Sequence, residues 1–562
     1  LLFGRLFSIL VLAFVLGLDF ELTRQEPAAG AKGDKSSSSD KSPRKDVTID
    51  FEGAEARAMM LPTSAGTFAG LAVNDKGHLL FLRLSEGSAG LMSLDISEDE
   101  PKEKLVAAGI NGLALTADGS KGLVLRGSSG SIQGMSAGAS GERVPTEGMN
   151  VIVDPRVEWR QMLTEAWRLQ RDYFYDPNMH GVDWPAVLQQ YLPMIDHCTS
   201  REDFSYVLGE LISELNVGHA YVMGGPRESQ PSESVGMLGV DWSLEHGAYR
   251  IAKIHHGAAW DADARGPLGA PGVDVNEGDW VLAVNGQPLD AAQDPWSAFL
   301  GMAGRPTVLT VSAKPEMDDD AREVVVKPIG NDSQLRFRSW IESNRRYVEE
   351  QTGGKVGYIY VTDTGTTGQN DLFRQFYPQI GKEALIIDER WNGGGQIPTR
   401  FIELLNRPAT NMWAGRDGKD WQWPPDSHQG PKCMLINGLA GSGGDAFPAY
   451  FKQAGLGKLI GMRTWGGLVG ISGNPGFVDG GGMSAPTFAY YDLDGTWGIE
   501  GHGVDPDIEV IDHPTALARG EDPQLEAAIA QMLDEVKAHP WNMPKRPAYP
   551  DRSDMGVTEE DK

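Results

Sequence analysis

Cysteine is nearly absent from this chain: Cys198 and Cys433 are the only two among 562 residues. Two thiols are too few for a disulfide framework or a thiolate metal site, and each reads as a small core residue. Positive charge is short as well. Fifty Lys and Arg stand against 78 Asp and Glu, a formal net charge of -28, which excludes nucleic acid and anionic membrane surfaces as partners because both need a cationic face. No HExxH run, paired cysteines or carboxylate-rich calcium loop occurs, so neither a metal nor another cofactor is expected. Long apolar runs are also missing. Residues 6–18 carry no charge but fall short of the roughly 20 residues that span a bilayer, so no stable membrane span is expected. They suit either a signal h-region, with AAGA at 28–31 as a cleavage site, or a buried strand of a domain that begins upstream. The first residue, Leu rather than Met, favours the strand.

What is present divides into unlike stretches. Residues 1–46 combine the apolar start with a linker centred on SSSSDKSPRKD, too polar to bury a core. Residues 47–155 hold short strand-like runs separated by turn signals such as NDKG and TADG, material for about two blades of a β-propeller. Helical spacing governs 156–226, where Phe204, Val207, Leu208, Leu211, Ile212 and Leu215 share one face before the chain breaks at NVGHAYVMGG. Residues 235–331 are β-rich with one amphipathic helix expected over DPWSAFLGMAG. Here Met237, Leu238, Gly239 and Val240, followed by the Gly278-to-Gly286 turn-strand-turn, resemble a PDZ domain. That resemblance implies a carboxylate-binding loop and a groove in which an extended peptide adds a strand, or else the same groove buried in a structural role. Residues 335–535 alternate strands (GKVGYIYV, EALIID, KCMLIN, LIGMRT) with helices and read as an α/β core, and 536–562 form a polar, Pro-rich tail. The fold class is therefore multidomain α+β and α/β: partial propeller, helical module, PDZ domain and α/β catalytic core.

Within the core, an apolar strand from Lys432 breaks at Asn437-Gly438 and passes through Gly441-Ser442-Gly443-Gly444. It then resumes helical spacing at Ala446, Phe447, Tyr450 and Phe451. A glycine-flanked strand-to-helix turn exposes a hydroxyl beside backbone N–H groups, which suits a nucleophilic serine; an ordinary glycine-rich turn has the same pattern. Three further pieces fit one chemistry. His219, just past a helix end, supplies an imidazole able to take a proton near neutral pH, or a structural histidine. Glu500 supplies a carboxylate. Gly393 and Gly394, in the bend of IIDERWNGGGQ, supply one half of an oxyanion hole, with Gly443 as the other.

In the order of these stretches, and in EWRQMLTEAWRLQRDYFYDPNMHGVDW, GLGKLIGMRTWGG and IEGHGVDPDIEV, the chain resembles the tricorn protease family within the clan of carboxy-terminal-processing peptidases. The resemblance implies a serine endopeptidase acting on peptides or unfolded polypeptide, with Ser442 as nucleophile, His219 as base and Glu500 as acidic partner. Oxyanion donors fall at Gly443 and at Gly393 or Gly394. It further implies a homo-oligomer in the cytoplasm, an exported enzyme being the alternative if residues 6–18 are a signal peptide. A non-catalytic PDZ scaffold with a decayed core, and an ester hydrolase using the same triad, remain open. Two departures stand out. Gly443 replaces the Asp of an SDGD run, which leaves the N–H but adds backbone freedom. Gly218 replaces a Ser that bridges base and glutamate, so either water or a direct contact must couple Glu500 to His219. The clan's alternative base, a Lys in T-F-G-K-G, is missing from Thr464-Trp465-Gly466-Gly467-Leu468, which adds weight to His219. His180 is expected in a structural turn, and His502 competes poorly from its place on the Glu500 loop.

Overall fold

The computed structural model describes residues 52–561, apart from 54–55, 57, 59, 86–87, 147, 228–229, 258–263, 397, 552–554, 556 and 558. The apolar start and the linker expected over 1–46 lie outside the described residues. The chain divides into two compact units, 1–153 and 154–562.

The described part of the first unit consists of two four-stranded antiparallel sheets, each in simple up-and-down order. Their turns fall where NDKG and TADG placed them: Gly77 and Gly119 take left-handed φ of 80° and 68°, a conformation that a side chain resists. Leu80, Leu91, Val106, Ile110, Val124 and Met135 close the core between the sheets. These eight strands do not by themselves form a closed ring.

The second unit begins with three helices, each started by its own side-chain cap. Asp154 caps Pro155–Tyr173, Asp183 caps Trp184–Tyr191, and Ser200 with Asp203 makes a capping box for Arg201–Ser213. The last helix buries Phe204, Val207, Leu208, Leu211 and Ile212, the face its spacing predicts. It ends at Glu214, and the chain turns through Asn216 at φ 45° toward His219.

Residues 236–331 build a six-stranded antiparallel sheet ordered Val240–Glu245, Ala248–Ile254, Trp280–Val284, Thr307–Ser312, Arg322–Val326, with Gln287–Pro288 paired to the third. The amphipathic helix expected over DPWSAFLGMAG is only a 3-10 segment, Pro295–Phe299. Asp294 and Pro295 start it well, but Leu300 is extended and Gly301 and Gly304 lie at φ 72°, so helix cannot propagate.

The core is a five-stranded parallel sheet in sequence order: Val356–Tyr360, Ala384–Asp388, Lys432–Ile436, Gly457–Gly461, Ile508–Glu509. The first three strands are buried at every position, as strands covered on both faces must be. Helices Thr366–Phe376, Pro398–Leu405 and Gly443–Gln453 pack on one face, and Ser333–Thr352 and Pro523–Ala538 on the other. Beyond the carboxyl end of the second strand, Arg390 is fully buried between Asp388 (2.7 Å) and Asp522 (2.9 Å), which fixes the start of the WNGGG bend. Among the described residues no helix is long and apolar enough to cross a membrane.

Candidate active site

Ser442 sits where an open parallel sheet gathers its chemistry, past the carboxyl end of the central strand and at the entrance of helix Gly443–Gln453. Its backbone has φ 59° and ψ -115°, a region costing an L-residue about 1–3 kcal/mol and held only when the surroundings over-determine it. The holding is visible: the Ser442 N–H donates to Asp445 Oδ2 at 2.7 Å, and Asp445 is fully buried.

His219 reaches the serine from the helical module. Its carbonyl accepts from the Ser484 hydroxyl at 2.6 Å, and Ser484 Oγ in turn accepts the Tyr221 N–H at 2.9 Å; Val222–Met223 then pairs with Gly482–Met483. This short two-stranded ribbon brings the imidazole to the core. His219 Nε2 lies 3.0 Å from Ser442 Oγ, within reach for proton transfer. Trp465 and Tyr221 flank the ring at centroid distances of 5.7 and 5.9 Å. Burial lowers the His219 pKa, partly opposed by the negative charges of Glu500 and Asp445, so the ring is a neutral acceptor at neutral pH.

Glu500 is beside this pair but does not bond the imidazole. Its Oε1 accepts the Gly218 N–H at 2.7 Å, and Oε2 accepts the N–H groups of Leu468 (2.6 Å) and Val469 (2.9 Å). His219 Nδ1 is buried without a partner among the described residues. A β-carbon at Gly218 would lie 3.1 Å from Glu500 Oε1, so the glutamate abuts the residue that replaces the expected serine. Of the two couplings left open by the sequence, direct contact is not made.

The oxyanion candidates separate. Among the described residues the Gly443 N–H has no acceptor, whereas the Gly393 N–H donates to the Thr362 carbonyl at 3.2 Å and the Gly394 N–H to Asn392 Oδ1 at 2.9 Å. Gly394 still touches the nucleophile turn, since a β-carbon there would stand 2.7 Å from Ser442 Cβ. The backbone freedom expected at Gly443 is not observed. A β-carbon at that position would come within 1.9 Å of Thr364 Oγ1 and 2.7 Å of Gly395 N, so close packing holds the glycine in place.

The PDZ-type loop is elsewhere and covered by its own chain. Met237 and Ile329 exchange both backbone hydrogen bonds (2.7 and 2.9 Å), Leu238 is buried, and the Val240 carbonyl accepts from Arg336 Nη2 at 2.6 Å. Gly239, at φ 71°, presses on Leu335, which a β-carbon there would approach to 2.3 Å. Leu238 and Val240 lie in the core of their own sheet, and among the described residues none of the four makes a hydrogen bond to Ser442 or His219. The other histidines have separate partners: His180 meets Tyr175 Oη and the Leu215 carbonyl, and His502 meets Asp505. Among the described residues no group of three or more His, Cys, Asp or Glu is arranged to hold a metal.

Two contributors escaped the sequence reading. Asp445 was visible only as the end of GSGGD, and Ser484 carries no local signal because its partner, His219, is 265 residues away.

Comparison with known proteins identifies the domains that carry these residues. Residues 155–213 match the tricorn protease C1 domain, 236–331 the tricorn protease PDZ domain, and 355–510 peptidase family S41. Tricorn protease homolog 1 of Streptomyces coelicolor is 34% identical over 518 residues, covering 88% of this chain and 48% of its own length. The tricorn protease of Thermoplasma acidophilum is 32% identical over 405 residues, covering 72% of this chain and 37% of its own. A crystal structure of the tricorn protease superposes with a TM-score of 0.75 at 28% identity, over 85% of this chain and 47% of that one. The chain thus spans about half the length, or less, of these relatives. With those three domains in that order, it belongs to the tricorn protease family.

Proposed function

We propose that this chain is a serine endopeptidase that hydrolyses peptides or unfolded polypeptide through an acyl-enzyme. The observation that carries the reading is the 3.0 Å contact between Ser442 Oγ and His219 Nε2, made by a serine on a strained turn at a helix entrance. In the first step His219 Nε2 takes the Ser442 proton as Oγ attacks the scissile carbonyl. The imidazolium then gives that proton to the leaving amine, and water, activated by the same ring, releases the acyl group. The N–H of Gly443, without an acceptor among the described residues, is assigned to the developing oxyanion; Gly393 or Gly394 joins it only if one of their N–H groups exchanges its present acceptor. Glu500 stabilises the imidazolium as a nearby charge and positions the ring through Gly218.

The two antiparallel sheets of the first unit are read as two propeller blades, with the helical module, PDZ domain and α/β core following in the order the sequence suggests. Met237, Leu238, Gly239 and Val240 belong to a PDZ loop that Leu335 and Arg336 cover, which weakens the case for it as an open peptide receptor. Substrates are taken to be peptides, and the enzyme a homo-oligomer, by analogy with the family. The rival scaffold reading, a PDZ protein with a decayed core, is disfavoured by the formed Ser–His contact. A fluorophosphonate probe decides between them: a catalytic core is labelled at Ser442, a decayed one is not.

A further inference from the structure

Four consecutive backbone amides, those of residues 466–469, hold two carboxylates. The N–H groups of Gly466 and Gly467 donate to Asp445 at 2.7 and 3.1 Å, and those of Leu468 and Val469 donate to Glu500 at 2.6 and 2.9 Å. Asp445 in turn holds the Ser442 N–H at 2.7 Å, and Glu500 the Gly218 N–H at 2.7 Å, one residue before His219. We infer that Asp445 is a positioning residue for the nucleophile, and that the 466–469 segment sets the register between Ser442 and His219 by clamping one carboxylate belonging to each.

Two features support this beyond proximity. Asp445 is fully buried and has four donors, because Thr464 Oγ1 adds a fourth at 2.5 Å. Burial raises the Asp445 pKa, and the three N–H groups and the Thr464 hydroxyl oppose that by favouring the carboxylate, because an N–H can meet only the unprotonated oxygen. Its neighbour Glu389, also fully buried, has both oxygens without partners among the described residues, so the charge rests on Asp445 while Glu389 keeps its proton. The clamp is also sterically specified. A β-carbon at Gly466 would come within 2.6 Å of Gly503 N, and one at Gly467 within 2.2 Å of the Trp465 ring, so the packing around the segment leaves no room for a side chain at either place. One consequence follows for the reaction: Asp445 occupies the Ser442 N–H and leaves the next amide, Gly443, to face an oxyanion.

This inference rests on the serine–histidine reading above, and the experiment separates the two. Wild type, Asp445→Asn, Thr464→Val and Thr464→Ser are compared by kcat and KM on a fluorogenic peptide, by the rate of fluorophosphonate labelling at Ser442, and by near-ultraviolet circular dichroism. An Asn at 445 keeps the size but turns one acceptor into a donor that must face two others. Its kcat and labelling rate are expected to fall about 100-fold or more, with KM within about threefold, because the nucleophile is misplaced while the substrate cleft is not. Thr464→Val, which keeps the charge and removes one donor, is expected to lose about tenfold in kcat, and Thr464→Ser to restore it. A folded Asp445→Asn enzyme with wild-type kcat and labelling overturns the inference. If Asp445→Asn does not fold, Thr464→Val with wild-type kcat overturns it instead. Failure of the probe to label wild-type Ser442 overturns the serine reading itself, and this inference with it.

Discussion

Replacing Glu500 with Gln tests how the acidic partner works. The carboxylate takes three backbone N–H groups on two oxygens, Gly218 on Oε1 and Leu468 with Val469 on Oε2. A glutamine has one acceptor oxygen, which it will keep toward Leu468 and Val469, turning its NH2 against the Gly218 N–H. An unpaired buried donor costs about 1–3 kcal/mol, and that strain falls on the peptide leading into His219. If all of it is felt in the transition state, the rate falls about 5- to 150-fold, since about 1.4 kcal/mol is a factor of ten. Loss of the charge that stabilises the imidazolium adds to this, so kcat/KM is expected to fall by about 10² to 10³. The pH profile adds an independent sign. Burial lowers the His219 pKa and Glu500 opposes that effect, so the wild-type acid limb lies below the usual histidine range, and removing the charge moves it lower still. The assay is kcat/KM for a fluorogenic peptide across the acid limb. An unchanged kcat/KM with an unmoved limb, or a limb displaced upward, refutes the reasoning.

Other outcomes follow from the same geometry. Gly218→Ser and Gly218→Ala place the same β-carbon 3.1 Å from Glu500 Oε1, but only serine adds a hydroxyl able to link that oxygen to His219 Nδ1. Serine is therefore expected to exceed alanine in kcat by about tenfold, the worth of one hydrogen bond, and equal rates would exclude the bridge. Glu389 is fully buried and its pKa is raised well above the usual range, first by burial and then by Asp445 and Asp388. A raised folded pKa gives stability that is full below the unfolded pKa of about 4.3 and is lost as pH rises toward the folded value, at about 1.4 kcal/mol per unit. Urea unfolding of wild type and Glu389→Gln between pH 5 and 8 should accordingly show a difference that grows in favour of Gln with pH, and a constant difference would contradict a protonated Glu389.

How much of this was legible depended on the range over which each signal acts. The buried face of Arg201–Ser213 and the strand-to-helix turn at Ser442 are local patterns, and the structure follows them. The helix expected over DPWSAFLGMAG shrank to Pro295–Phe299 because spacing alone understated Gly301 and Gly304. Gly443 looked free because it is a glycine where the family pattern has Asp, whereas its confinement comes from Thr364 and Gly395, remote in sequence. The state of each donor was least legible. Whether the N–H of Gly393, Gly394 or Gly443 is free depends on Thr362, Asn392 and the way three loops meet, which no periodicity records. For the same reason the sequence leaves the PDZ-type groove either open or buried, since the Leu335 and Arg336 contacts with Gly239 and Val240 join residues about 96 apart in the chain.

The central claim is that Ser442 is a nucleophile activated by His219. Its most direct test is mass-spectrometric mapping of fluorophosphonate labelling on wild type, Ser442→Ala and His219→Ala, alongside peptide hydrolysis by each. The expected result is a single adduct on Ser442 in wild type. None is expected in Ser442→Ala and little in His219→Ala, with hydrolysis falling by several powers of ten in both while the fold persists. Hydrolysis by Ser442→Ala at the wild-type rate, or an adduct on another residue, would contradict it.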